Sequence, residues 1–415
     1  MSIINLFQPK DPLDKLLEKL HDEDSDKRED AINKLEKMKI GVNEGLKILE
    51  YSKQKFPPSE FEWIDISARL VDIIAKTPQF EYINKVESIF DHVSIPAKVS
   101  ILLFLAEYDE KEALDVYIKL LGKVYYDLRG LPTGSLLRRP RHASSIFPAI
   151  LKYVDNKYLT RDIYHLLLRY FIEGLVNEDF IGDYKNEIVK DTLFMADRVK
   201  QWSFGGYPNT MWDDEEYLEL RTYAGVHFDL AGYIKDVRII KCLYNLLSLE
   251  DMRLKMFAVI SLLKHNCKVE EEHFLNIAKN NEMRNWFFSS LDALGKADLF
   301  PGEYRNQEKF AESNMVDWLC YPTELGREPD EIELMQIFED PKYEYYLFRF
   351  RSDSDGWKDK GWMAGLAGPF KVNDMPTVDA LGYTFSRYDE WDSKNPDEHF
   401  KDIINTARGF YSFGD

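Results

Sequence analysis

Cysteine is scarce in this chain of 415 residues: only Cys242, Cys267 and Cys320 occur, and their spacing is not that of a metal site. Three widely separated cysteines argue against a disulfide framework and against a cysteine-ligated zinc ion. Cys242 and Cys267 fall within helical patterns, where a small buried thiol suits a protein core. We therefore expect core thiols in a reducing compartment.

Long apolar segments are also missing. No run of 18 consecutive apolar residues occurs, and the first ten residues, MSIINLFQPK, lack a basic region followed by a long apolar stretch. A transmembrane helix needs about 20 such residues, and a secretory signal needs both of the missing features. The sequence therefore predicts neither a membrane span nor an export signal, and a cytoplasmic location is expected.

Common catalytic and cofactor motifs are absent as well. The chain has no His-Glu-x-x-His, no Gly-x-Ser-x-Gly, no Gly-x-Gly-x-x-Gly and no Cys-x-x-Cys. The densest acidic cluster with a histidine, Glu270 to His273, begins a helix pattern, where capping and the helix dipole explain acidic side chains. We predict no catalytic residue, no metal ligand and no cofactor, although a triad built from distant residues stays open.

Positive charge is in short supply. The chain carries 54 Lys and Arg against 73 Asp and Glu, a formal net charge of −19. Residues 301–415 hold 13 of these basic and 24 of these acidic residues, a net of −11, which leaves −8 for residues 1–300. Such a surface repels phosphate backbones and attracts basic molecules. Nucleic acid is therefore an unlikely ligand on charge grounds, and a basic protein is the expected partner.

What the sequence does contain is a repeated helical pattern. A basic residue is followed by apolar residues at +3, +7 and +10, positions that share one face of a helix. Two copies, beginning at Arg253 and Arg284, are 31 residues apart, and further copies begin at Arg28 and Lys98. Their apolar residues are Met256, Ile260 and Leu263; Phe287, Leu291 and Leu294; Ala31, Leu35 and Met38; and Ile101, Leu105 and Tyr108.

This pattern resembles HEAT and armadillo-type repeat proteins, in which a basic residue stands near the start of a helix in each unit. The separations fit a helix-pair repeat of 31 to 35 residues with degenerate middle copies. The resemblance implies that residues 1–300 form a HEAT-like α-α solenoid, in which each unit covers the apolar stripe of its neighbour. The alternative is a non-repetitive all-helical domain whose helices share similar stripes.

After residue 300 the apolar period changes from helical to two. Alternating runs predict strands at 331–340, 343–351, 361–370 and 381–387, and Asn395-Pro-Asp-Glu predicts the start of a last helix. Residues 318–326, 346–351 and 362–370 resemble the C-terminal part of uncharacterised bacterial HEAT-repeat proteins, which implies a bacterial origin. We predict a mainly α protein, with a HEAT-like domain at 1–300 and an α+β domain at 301–415 that contains an antiparallel sheet of about four strands.

A basic stretch, residues 123–142, interrupts the helical pattern. Its arginines Arg129, Arg138, Arg139 and Arg141 could clamp a phosphate or carboxylate, because guanidinium groups bind such anions with two hydrogen bonds. The alternative, which we favour, is that they pair with acids of the same protein.

A second insertion, residues 201–212, is aromatic. Trp202, Tyr207 and Trp212 stand beside Gly205-Gly206 and Pro208, which break the helix. Large rings on a loop are typical of anchors for a partner protein. The same rings could instead fold back and cover neighbouring helices.

Two arginines of the predicted sheet, Arg349 and Arg351, share one face of a strand. They could receive a carboxylate, but arginines in acidic surroundings more often form structural ion pairs. Small residues of the third strand, Ala364 to Gly368, could admit a ligand or allow the terminal helix to pack closely.

Two functions are compatible with these features. The first is a non-enzymatic scaffold that binds a basic protein partner, with immunity or defence against a toxin as one version. The second is a hydrolase-type enzyme with a site at the junction of the two predicted domains, using Arg349, Arg351 and acids such as Asp389. A nucleic-acid role like that of the HEAT-like DNA glycosylases ranks last, because only residues 123–142 offer a basic surface.

Overall fold

The structure, a computed structural model, describes residues 11–58, 64–202, 214–321, 323–354, 356–381 and 384–411, without the side chains of 385–389 and 407–411. The chain divides into two compact units, Met1–Tyr184 and Lys185–Asp415, which are described separately. Among the described residues it is mainly helical, with a small antiparallel sheet near the C-terminus, as predicted.

The first unit contains ten α-helices in its described residues. Each helix packs against the next helix but one, so that the odd-numbered helices form one row and the even-numbered helices another. The bounds are α1 (Pro12–Lys19), α2 (Ser25–Lys37), α3 (Val42–Tyr51), α4 (Ile66–Ala75), α5 (Glu81–Ile89), α6 (Ile95–Ala106), α7 (Lys111–Val124), α8 (Thr133–Leu137), α9 (Ala143–Leu151) and α10 (Thr160–Ile172).

Four of the helices in this unit begin with a side-chain cap. Asp11, Asp24, Asp65 and Ser94 each accept a hydrogen bond from a backbone N–H in the first turn of α1, α2, α4 and α6 respectively. Such caps satisfy amides that have no partner within the helix and contribute about 1 kcal/mol each.

Two basic residues of the repeated pattern, Arg28 and Arg284, hold backbone turns. The Arg28 guanidinium is buried and donates to the carbonyl oxygens of Asp22, Glu23 and Pro58. Arg284, in the second unit, is also buried and donates to the carbonyls of Ala278, Lys279 and Lys309. Each arginine therefore holds the turn that precedes its own helix.

The apolar residues at +3 and +7 of the pattern are buried, whereas Met38 and Leu294 at +10 are half-buried. In all four copies the +3 and +7 residues lie in the core: Ala31 and Leu35, Ile101 and Leu105, Met256 and Ile260, and Phe287 and Leu291.

Side-chain contacts recur between residues about one predicted repeat apart. The Lys85 ammonium lies 2.5 Å from Glu50, and Lys119 and Lys123 each lie 2.6 Å from an acid 32 residues earlier in the chain, Glu87 and Asp91. In the second unit Ser261 Oγ donates to the Phe228 carbonyl at 2.7 Å, and Lys264 Nζ to Asp229 at 2.6 Å, 33 and 35 residues apart.

The second unit begins with more helices and continues into the sheet. Helix α12 packs on α11 and α14, α13 on α11 and α14, and α16 on α14, α15 and α17. The bounds are α11 (Lys185–Gln201), α12 (Glu215–Ala231), α13 (Val237–Leu246), α14 (Met252–Lys264), α15 (Glu271–Lys279), α16 (Arg284–Ala293), α17 (Gln307–Leu319) and, after the sheet, α18 (Pro396–Tyr411).

The antiparallel sheet has the order β1-β2-β3-β4. Its strands are β1 (Glu331–Glu339), β2 (Tyr343–Arg351), β3 (Met363–Lys371) and β4 (Phe385–Glu390). Three strands have nine residues each, whereas β4 has six and pairs with β3 at only four positions. The sheet thus has three full-length strands rather than the four that were predicted, because the last run pairs with its neighbour only along a short edge.

Helices cover both faces of this sheet. On one face Met315 and Leu319 of α17 pack with Phe348 and Phe350, and on the other Ile403 of α18 packs with Leu347, Ala364 and Leu366. A side chain at Gly365 would lie 2.5 Å from the Met315 Cε atom. Gly365 therefore allows close packing of α17, whereas Ala364 packs against Ile403 of α18, the terminal helix that the second alternative named.

The compact units divide at residue 184, whereas the composition changes at residue 300, inside the second unit. In that unit α17 links the two parts, since it packs on α16 and also on the sheet. No helix among the described residues is long and apolar enough to cross a membrane.

Candidate functional site

The arginines of residues 123–142 are occupied by the protein itself. Arg138 and Arg139 pair with Glu107, and Arg139 and Arg141 pair with Asp109 at 3.1 and 2.9 Å. These three arginines therefore pair with acids of the same protein, which is the alternative that the sequence favoured.

Arg129 has a different neighbour. Its guanidinium carbon lies 3.9 Å from the centroid of the Tyr158 ring, in a cation–π contact. The four arginines therefore do not form a ready binding site for a phosphate or carboxylate, which was the first use considered for them.

Arg349 and Arg351 are also paired. They face Glu333 and Glu331 across the β1–β2 pair, form ion pairs with them, and lie 4.4 and 5.3 Å from the Trp362 ring centroid. Opposite charges directly across an antiparallel pair stabilise its register. The two side chains thus stabilise the sheet through ion pairs, which is the structural role considered for them from the sequence.

Of the three aromatic residues predicted to act in the second insertion, the structure describes only Trp202. Tyr207 and Trp212 lie outside the described residues. Trp202, just after α11, is half-buried, and its ring centroid lies 5.4 Å from that of Tyr217 on α12. Trp202 therefore folds back against a neighbouring helix while part of its ring stays accessible.

A cavity of about 250 Å³ lies beside these two rings, and we call it the Trp202 pocket. Its polar wall comes from the turn before α14, where Asp251 caps that helix by accepting from the Arg253 and Leu254 amides. Two aromatic rings and two carboxylates therefore line one small cavity. Its lining residues are Val199, Lys200, Trp202, Tyr217, Ser248, Leu249, Glu250 and Asp251.

A buried ion cluster lies behind this pocket. Arg221, whose side chain is 3% exposed, donates from Nε to Asp251 at 2.7 Å and from Nη2 to Glu282 at 3.3 Å. Tyr217 Oη donates to the same Asp251 carboxylate at 2.8 Å. Glu328 accepts from the Glu282 amide and from the Asn280 side chain, each at 3.2 Å.

The Arg221 guanidinium forms ion pairs with both Asp251 and Glu282, and its contact with Asp251 is the shorter one. Burial is the main cause that raises the pKa of Glu282 to about 7. The negative charges of Glu328 and Asp251 add to this effect, and the positive charge of Arg221 opposes it. Burial likewise raises the pKa of Glu328. Glu282 and Glu328 line neither the Trp202 pocket nor the larger cavity described next.

The larger cavity, of about 610 Å³, lies between α13, α14 and α15, and we call it the Lys255 pocket. Its volume falls in the range of small-molecule sites. Burial lowers the pKa of the Lys255 ammonium, with Glu272 opposing the shift. The lining residues are Tyr244, Leu247, Ser248, Lys255, Lys268, Glu270, Glu272, His273 and Asn276.

Sequence reasoning missed most of both sites. Asp251 and Lys255 lie beside Arg253, the first residue of one copy of the repeated pattern, and Glu270 to His273 were explained by capping and the helix dipole. Glu270 does hold the N-cap position of α15, but its side chain makes no capping hydrogen bond. The signal that was available was the coincidence of a histidine with three acids.

No family model matches this chain, and a comparison with curated proteins gave no match.

Proposed function

We propose that the chain is a HEAT-like helical-repeat scaffold that binds a basic protein partner and performs no catalysis. The two rows of helices in the first unit, and the contacts between residues 32 to 35 apart, support the repeat. One version of this function is an immunity or defence protein that neutralises a basic toxin, because opposite charge accelerates encounter and selects the partner.

The charge of the protein supports a basic partner. The net charge is −19, and the arginines of the only strongly basic stretch are already occupied, Arg138, Arg139 and Arg141 by Glu107 and Asp109. An anionic partner would therefore compete with these acids for the three arginines.

The observation that carries the proposal is the Trp202 pocket. The faces of aromatic rings attract cations, and a carboxylate beside them adds a charge-assisted hydrogen bond. Asp251 is already neutralised by Arg221, so the exposed carboxylate of Glu250 supplies the attraction. A lysine or arginine side chain of the partner contacts the accessible part of the Trp202 ring and the Glu250 carboxylate, whereas Tyr217, which is 1% exposed, packs behind Trp202.

An experiment with a nona-arginine peptide tests this binding site. Isothermal titration calorimetry should give a dissociation constant that rises with salt, and Trp202→Ala and Glu250→Gln should each weaken binding about tenfold, as loss of about 1.4 kcal/mol does. Glu219→Gln is the matched control, since it removes the same charge from an exposed position on α12 outside the pocket.

Two results would contradict the proposal. One is no binding of the peptide at low salt. The other is equal weakening by Glu250→Gln and Glu219→Gln, which would mean that only the net charge matters. Circular dichroism and thermal unfolding of each variant separate loss of binding from loss of folding.

The hydrolase-type alternative gains less support. The junction between the helices and the residues after 300 does hold carboxylates with raised pKa values, Glu282 and Glu328. These groups accept hydrogen bonds from Arg221, Asn280 and a backbone amide. Neither of the two pockets described above reaches them, so a substrate has no access to them from either cavity.

A further inference from the structure

One edge of the antiparallel sheet is open. β1 pairs with β2 on one side, and no described strand pairs with its other side, which we call the β1 edge. The Asp340 amide donates to the Tyr343 carbonyl at 2.9 Å, so this pair bonds across the two strands. Because backbone groups alternate in direction along a strand, Ile337 and Glu339 direct their N–H and C=O groups away from β2. Among the described residues, no backbone group bonds to them on that side.

Both faces of β1 are packed, so the β1 edge and a few side chains are its accessible parts. Ile332, Leu334 and Ile337 pack with the α17 side of the sheet, and the Phe338 ring stacks on that of Phe400 from α18 at 4.1 Å. The side chains at positions 331, 333, 335 and 339 are exposed. An edge strand with free backbone groups is a template for a further strand.

Acidic side chains lie at the end of the β1 edge. Glu339 stands directly opposite Glu344 in the β1–β2 register. Burial raises the pKa of Tyr346 on β2, and the charges of Glu344, Glu308 and Glu339 add to the shift, so these three carboxylates lie near one phenol. Among the described residues none of the three forms an ion pair. Like charges opposite each other destabilise a strand pair, so a cation from outside is favoured here.

The same charges argue against a second copy of this chain at the β1 edge. β1 contains three acidic residues and no basic one. Antiparallel pairing of two copies centred on Met335 places Glu331 of one chain opposite Glu339 of the other, which is unfavourable. A strand that carries lysine or arginine meets no such repulsion.

A β-bulge sets the length of chain that can pair. The register of β1 with β2 shifts between Leu334 and Gln336. Bulges and charges on edge strands also protect proteins from aggregation, and that role explains the repulsion of like strands. Residues 336–339, beyond the bulge, keep a continuous register with β2 and lie next to the acidic side chains.

We propose that residues 336–339 bind an extended, basic segment of a partner protein, which adds to the sheet as a further strand. Hydrogen bonds to the backbone of Ile337 and Glu339 supply the pairing, and lysine or arginine side chains approach Glu339, Glu344 and Glu308. This surface is separate from the Trp202 pocket, and each proposal can fail without the other.

The probe for this surface is a capped heptapeptide of alternating lysine and valine, added to the full-length protein. Isothermal titration calorimetry should detect binding, and hydrogen–deuterium exchange should slow at residues 336–339. A peptide of the same sequence with N-methylated backbone amides should not slow it, because it cannot pair as a strand. A peptide of alternating glutamate and valine should not bind.

Two substitutions at one position separate backbone pairing from charge. Glu339→Gln removes only the charge, whereas Glu339→Pro also removes an outward N–H, a change that an edge strand tolerates. The proline variant should bind the lysine–valine peptide about tenfold more weakly than the glutamine variant does, as loss of about 1.4 kcal/mol produces. Glu219→Gln, exposed on α12, is the charge control, and Trp202→Ala should bind this peptide as the unaltered protein does.

Three results would overturn the proposal. One is equal binding by Glu339→Pro and Glu339→Gln, with both variants folded by circular dichroism. Another is binding of the lysine–valine peptide to the unaltered protein without slower exchange at residues 336–339, a result that needs no variant. The third is a dimer in sedimentation velocity that Glu339→Pro abolishes, since it would assign the β1 edge to a second copy.

Discussion

Replacing Arg221 with methionine is expected to lower the free energy of unfolding by about 3–5 kcal/mol, the usual effect of removing one partner from a buried ion pair. The variant leaves the carboxylates of Asp251 and Glu282 inside the protein without their cation. Urea unfolding at neutral pH, followed by circular dichroism, measures the change.

The matched control for this variant is Arg238→Met. Arg238 pairs with Asp236 at 2.7 Å, the same distance as the Arg221–Asp251 pair, but its side chain is 50% exposed. Its loss should cost less than about 1 kcal/mol. Adding Glu282→Gln to Arg221→Met should recover part of the loss, because the loss of Arg221 raises the pKa of Glu282 further, and glutamine avoids the proton uptake that folding then requires at neutral pH. Equal effects of Arg221→Met and Arg238→Met would show that burial of the pair does not matter.

The second large effect is a pH dependence that Glu282 confers. Its pKa rises from 4.5 to about 7 on folding, so the native state holds more protons than the unfolded state between these values. Its contribution to the free energy of unfolding is therefore complete below pH 4.5 and is lost as the pH rises to about 7. A shift of this size corresponds to about 3 kcal/mol.

Glu282→Gln removes this dependence, because glutamine stays neutral at every pH. The free energy of unfolding of the variant, relative to the unaltered protein, should therefore rise by up to about 3 kcal/mol from about pH 4.5 to about pH 7.5. Urea unfolding at both pH values measures it, with the exposed Glu219→Gln as control. If the stabilities of the Glu282→Gln variant and the unaltered protein stay parallel, Glu282 does not titrate in this range.

The local elements could be read from the sequence where local chemistry decides them. The strand predicted at 343–351 coincides with β2, because its alternating side chains fit a sheet with two covered faces. The helix predicted after Asn395 begins at Pro396, and the Asn395 side chain accepts from the Glu398 amide. The strand predicted at 381–387 was misplaced, since β4 begins at Phe385, where pairing with β3 sets its position.

The candidate sites were much less predictable. Trp202 was selected as a loop ring that either anchors a partner or covers neighbouring helices, yet it forms a pocket only because Tyr217 and the turn before α14 lie beside it. Arg221 attracted no attention, although it joins Asp251, 30 residues away, to Glu282, 61 residues away. No local pattern marks such a meeting of distant side chains.

The sequence by itself determined the helical period, the change to strands after residue 300 and the negative charge, because these depend on neighbouring residues and on composition alone. Only the tertiary structure decided which charges are neutralised. It paired Arg138, Arg139 and Arg141 with exposed acids of the same protein and enclosed the pair of Arg221 and Asp251 in the interior. The physical reason is that an ion pair depends on distance in space and on burial, and both are set by how the helices pack.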